Sequence, residues 1–124
     1  MQAVLKGAAG LKKAAKVYGI IAATIVLIPI LMFAYIQYQL ASLEKATYEH
    51  LIDRQGYADS DILRIDTKVK FLSFYTAEVV FADEPDITYD YKRNQKGDII
   101  QVGMSDPEGA DWKNYKYKHE EASP

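Results

Sequence analysis

Residues 17–43 read VYGIIAATIVLIPILMFAYIQYQLASL and contain no charged side chain. At a rise of ~1.5 Å per residue, a helix of this stretch reaches ~40 Å, more than the ~30 Å hydrocarbon core of a bilayer. A helix that is apolar on every side belongs either in a membrane or at the centre of a large protein. The whole chain has 124 residues, too few to surround such a helix. The stretch therefore predicts a transmembrane helix, placed at 17–40. Tyr18 stands at one end of it and Tyr35 and Tyr38 at the other, where amphipathic rings favour the headgroup regions. Pro29 falls in mid-span and frees the carbonyl of Ile25. That break reads either as a simple kink or as a packing site for a partner helix.

Toward the N-terminus, residues 1–16 form a basic leader with Lys6, Lys12, Lys13 and Lys16 and no acid. Lysines beside a span are held on the cytoplasmic side, so the N-terminus is expected inside and the rest outside. The apolar run is longer than the ~7–15 residues of a cleavable signal, and Gln39-Leu40-Ala41 puts Gln where a small residue belongs. An uncleaved signal-anchor in the plasma membrane is the expectation. All 17 acids and the other 11 bases lie beyond the span, a balance of −6 there against +4 in the leader. The negative outer part disfavours nucleic acid as a ligand. The absence of Cys excludes a disulfide framework, a thiolate metal site and a cysteine nucleophile.

Toward the C-terminus the helical pattern continues over 40–57, with Leu40, Leu43, Thr47 and Leu51 on one side, widened by Tyr48 and Ile52. Gly56 suits the left-handed position that ends a helix, with Tyr57 then touching Ile52. From Asp61 the period changes to two. Leu63, Ile65, Thr67, Val69 and Phe71 alternate with Arg64, Asp66, Lys68 and Lys70, predicting a half-buried strand. Tyr75, Ala77, Val79 and Phe81 share a face of a second strand. Asp83-Glu84-Pro85-Asp86 reads as a turn, Ile87 to Tyr91 as a third strand and Ile99 to Met104 as a fourth. Short links imply an antiparallel meander. The fold class is α+β: an N-terminal transmembrane helix, then a helix packed on a four-stranded antiparallel meander. The extracytoplasmic domain is expected at 41–104, and 105–124 as a polar tail, disordered from Lys118. Whether Trp112 docks on the sheet stays open.

The chemistry-bearing residues are sparse. His50 on the helix reads as a surface residue, and His119 falls in the tail; no His pair has metal-site spacing. Asp83, Glu84 and Asp86 are weak candidates for Ca²⁺, but they lack the ligand ladder of a calcium loop. No cofactor is expected. No phosphate-binding or nucleophile-elbow motif occurs, and no catalytic residue is assigned. Lys92, Arg93 and Lys96 form a basic hairpin tip, either a contact for an acidic partner or headgroups or simply a solvated end. Tyr75, Tyr89 and Tyr91 point to one face, as core rings or as an aromatic platform. Candidate interaction residues are therefore Tyr89, Tyr91, Lys92, Arg93 and Trp112. The membrane anchor comprises Lys12, Lys13, Lys16, Tyr18, Pro29, Tyr35 and Tyr38.

The stretch Val79 to Tyr91, VVFADEPDITYDY, followed by Gly97 to Gly103, GDIIQVG, and joined to a Lys-rich start and Gly56-Tyr57, resembles a family of small single-pass membrane proteins of Gram-positive bacteria. That family carries a domain of unknown function. The resemblance reaches from the anchor to about Met104 and rests on the Asp-Glu-Pro and Tyr-x-Tyr pattern. It implies a bacterial envelope location and no activity. The order of elements is also similar to PepSY and cystatin-like modules, an architectural analogy only. The expected function is a non-enzymatic interaction or regulatory module. Its partners are the lipid bilayer and a protein at the outer face of the plasma membrane. The alternative is a ligand- or Ca²⁺-binding envelope module using the acidic turn.

Overall fold

The structure is a computed structural model that describes residues 2–71, 74–107 and 112–122, with side chains described at 10–71, 74–107 and 113–122. One helix, α1, runs uninterrupted over Gln2–Glu49 with Pro29 inside it. It passes from one structural unit, Met1–Gln37, into a second, Tyr38–Pro124. The first unit is helical throughout the described residues. From Gly10 it exposes its large apolar side chains on all sides, including Ile20, Ile25, Ile30 and Phe33.

In the second unit α1 closes through a widened π turn, His50–Arg54. Gly56 takes the left-handed conformation at φ +76°, which glycine adopts without a Cβ clash. The widened turn moves the closing bond by one residue. The Tyr57 amide donates to the Leu51 carbonyl at 3.0 Å rather than reaching Ile52, and the Tyr57 ring packs against Phe81, 4.9 Å between centroids.

Four strands follow in the antiparallel order β1-β2-β3-β4: β1 Ile62–Lys70, β2 Phe74–Phe81, β3 Glu84–Arg93 and β4 Ile99–Met104. In β1–β2 the register sets Ile65 against Val79, Thr67 against Ala77 and Val69 against Tyr75. In β2–β3 it sets Ala77 against Tyr91 and Val79 against Tyr89. Period-two alternation therefore sends Ala77, Val79, Phe81, Tyr89 and Tyr91 to the face that Leu43 of α1 and Leu51 of its closing turn cover, and all seven are buried together with Ile87. The meander and its covering helix are as the alternation predicts.

Three details differ. A bulge between Ile62 and Arg64 turns Leu63 out of the core, where it is 55% exposed. An inserted residue breaks the parity that the sequence shows. Val69 and Phe71 are also exposed. Finally, Asp83-Glu84-Pro85-Asp86 is not a turn as a unit. Phe81 pairs with Glu84, so Ala82 and Asp83 alone turn the chain and β3 begins at Glu84. The β3–β4 link is organised by Asn94, whose side-chain oxygen accepts from the Lys96 and Asp98 amides, both at 2.9 Å, with Gly97 at φ +85°.

Candidate functional site

The polar groups of the second unit converge on the end of the sheet where Tyr57, the β2–β3 turn and the C-terminal segment meet. Residues 115–122 alternate half-buried and exposed without exception, Tyr115, Tyr117, His119 and Glu121 facing in. In the segment expected as a polar tail, four side chains thus face the domain, as far as Glu121. The physical reason is that four amphipathic side chains at period two give an extended segment one face to bury. The side chain of Trp112 lies outside the described residues.

Glu84 is the centre of this region. Its carboxylate is buried and accepts from the hydroxyls of Tyr89 and Tyr115 and, at 3.4 Å, from the Lys118 amide. A buried carboxylate is tolerated only when its lone pairs are filled in this way. Burial pushes the Tyr89 phenol well above its ordinary value, and the bond to Glu84 adds to the effect. Tyr115 is pushed up to about 12, first by its bond to Glu84 and then by burial.

His119 fastens the segment to three elements. Its ring stacks on Phe81 at 3.9 Å and 22°. Nε2 lies 2.7 Å from Asp83 Oδ1 and Nδ1 lies 2.9 Å from the Tyr57 hydroxyl. A carboxylate only accepts, so Nε2 donates and, in the neutral ring, Nδ1 accepts from Tyr57. The His119 bond holds the Asp83 carboxyl below its usual value. One residue pair further on, His50 Nε2 lies 2.7 Å from Glu121 Oε1 with the His50 side chain 9% exposed. His50 is therefore a packed residue that closes on the tail, not a surface one. Gln101 completes the clasp, donating to the Tyr91 hydroxyl and the His119 carbonyl, both at 3.0 Å, and accepting from the Glu121 amide at 2.8 Å.

The chain Asp83–His119–Tyr57 has the connectivity of an acid–imidazole–hydroxyl relay. Both ring nitrogens are engaged within the protein and the ring lies flat on Phe81, so His119 holds the C-terminal segment against the domain. The acidic run does not gather: Glu84 turns inward to two tyrosines and Asp83 pairs with His119. Among the described residues no group of three metal-ligating side chains converges.

The remaining candidate residues separate. Tyr89 and Tyr91 are fully buried, so they are core rings and not a surface platform. Lys92 lines a groove of about 200 Å³ with Gln39, Leu43, Phe74, Tyr75 and Arg93. Arg93 Nη2 donates to the Ser42 carbonyl at 3.2 Å and to its hydroxyl at 3.0 Å. Lys12, Lys13, Lys16, Tyr18, Tyr35 and Tyr38 are exposed on α1. The face of the sheet away from the core carries an ion ladder across three strands: Lys68 to Glu78 at 3.1 Å, Lys70 to Glu78 at 2.8 Å and Lys70 to Asp90 at 3.0 Å.

These features define a small α+β domain, closed by its own C-terminal segment, on a helix long and apolar enough to cross a membrane. The chain belongs to the DUF3139 family of proteins of unknown function, whose model matches residues 14–91. The match takes in the apolar helix and the first three strands. No curated protein and no solved structure matches the chain.

Proposed function

We propose that this is a bitopic plasma-membrane protein, N-terminus inside, that holds a non-enzymatic interaction domain on the outer face of a bacterial envelope. The observation that carries this reading is the contrast between its two units. The first exposes Ile20 to Phe33 on every side, which water does not tolerate and lipid does. The second has a complete apolar core of its own. Four leader lysines on one flank and a net −6 on the other favour the stated orientation. A Gram-positive envelope is the setting that the sequence resemblance suggests.

The partner is a protein, taken up along β4. This strand pairs on one side only and has no charge in its six residues. The other edge strand, β1, carries Lys68 and Lys70 and a bulge, features that discourage strand addition. An edge strand without them suits a peptide added by backbone pairing. A photo-crosslinker at Val102, in the full chain in its own membranes, is expected to give one discrete protein adduct absent from a crosslinker at Lys96. No adduct, or the same adducts from both sites, would refute the partner. The acidic run offers no second reading, because its members face different partners. Millimolar Ca²⁺ is expected to leave the melting temperature of the full chain unchanged.

A further inference from the structure

The two residues that flank the β1–β2 turn, Phe71 and Phe74, are apolar and exposed. Phe71 is 92% exposed, Phe74 72% and Val69 54%. Phe74 also holds φ at +54°, in the left-handed region that a bulky L-residue rarely enters. Strain of this kind persists where a function needs the geometry, and Phe74 leaves most of its side chain in solvent.

The tip has a definite place in the second unit. Phe74 and Tyr75 share their groove with Gln39 and Leu43, and Arg93 ties the end of β3 to Ser42 in the same helical turn. Gln39 is the residue after Tyr38, the last aromatic of the apolar stretch. The tip thus lies at the end of the domain where the chain arrives from the span. The opposite end lies about 23 Å away, at ~3.3 Å per residue along β2. There Ala82 donates to the Asp61 carbonyl at 2.8 Å.

The groove beside the tip is lined by Lys92 and Arg93 and by no acid. Lys68 and Lys70 on the same hairpin are already paired with Glu78 and Asp90, so the basic groups this end presents to a partner are Lys92 and Arg93. Exposed aromatic rings with basic neighbours match a bilayer interface bearing anionic headgroups.

We propose that the β1–β2 tip is a second membrane contact, in which Phe71 and Phe74 enter the interface of an anionic bilayer and Lys92 and Arg93 face its headgroups. The inference rests on the anchored reading above. The anchor makes this contact intramolecular, so two rings suffice where a free domain would need more. Its effect is to hold the domain in a fixed attitude on the surface.

The chain has no native Cys, so single cysteines carry an environment-sensitive dye at chosen sites. The full chain is placed in vesicles of phosphatidylcholine and phosphatidylglycerol in equal parts, with nitroxide-labelled lipid as quencher. Dyes at Ile28→Cys and Phe74→Cys are expected to be quenched several-fold more than one at Ala82→Cys, in the exposed β2–β3 turn at the far end. Phe71→Asp is expected to bring the Phe74 dye down to the Ala82 level, and phosphatidylcholine alone to weaken its quenching. A quenched Ile28 dye with Phe74 no different from Ala82 overturns the tip contact and leaves the anchor standing. An unquenched Ile28 dye overturns the anchor and this inference with it. Equal Phe74 quenching in both lipids overturns the anionic preference.

Discussion

Glu84 shows how much one side chain governs here. It stands beside a proline in a run of acids and is read from sequence as a turn residue, yet it is buried with two phenols and an amide on its oxygens. Hydrogen bonds to a charged acceptor contribute about 1.5–3 kcal/mol. Glu84→Gln is therefore expected to lower unfolding stability by about 2 kcal/mol, read from urea unfolding of the full chain in detergent by circular dichroism. A change within error would contradict this role. The same carboxylate sets an alkaline limit. Tyr115 titrates ordinarily at 10.0 and in the fold at about 12, so folding favours the protonated phenol. Its contribution is whole below pH 10 and is lost as the pH rises toward 12. Ultraviolet titration of tyrosinate should show loss of structure in that window, and Tyr115→Phe should remove the Tyr115 share of it. Glu84 was illegible because composition marks Asp-Glu-Pro-Asp as a turn. Only the pairing of Phe81 with Glu84 reveals that the reversal takes two residues.

The strands that carry the core were legible because Tyr75 to Val79 and Ile87 to Tyr91 alternate, and alternation is what a two-layer fold requires. Leu63 was not, because a bulge is a backbone insertion that leaves no mark in the hydrophobic pattern. The C-terminal segment is the instructive case. Tyr115, Tyr117, His119 and Glu121 do alternate with Lys116, Lys118 and Glu120, but the polar average of the tail obscures that signal. The helix contributes a prediction of opposite sign. Thr47 faces the sheet, is fully buried, and its hydroxyl finds no partner among the described residues. An unmet buried hydroxyl costs about 1–3 kcal/mol, and valine has nearly the same shape. Thr47→Val is expected to raise stability by about 1 kcal/mol in the same urea experiment. A loss would mean that the hydroxyl has a partner.

At the scale of the molecule, the net charge of −2 hides a basic leader, a neutral span and an acidic domain. That division supports the proposed placement more than any motif does. The family match over residues 14–91 covers both the apolar helix and the start of the domain, so the two recur together as one design. The site was less legible than the fold because its members, Tyr57, Asp83, Glu84, Tyr89, Gln101, Tyr115 and His119, come from four separated segments with no spacing to connect them. The central claim is that the domain lies outside the membrane on a helix that crosses it. The direct measurement uses single cysteines at Ala3 and Lys96 in the otherwise cysteine-free full chain, with a membrane-impermeant maleimide on intact cells. Lys96→Cys is expected to label at once and Ala3→Cys only after permeabilisation. The reverse pattern, or labelling of neither site before lysis, would contradict the account.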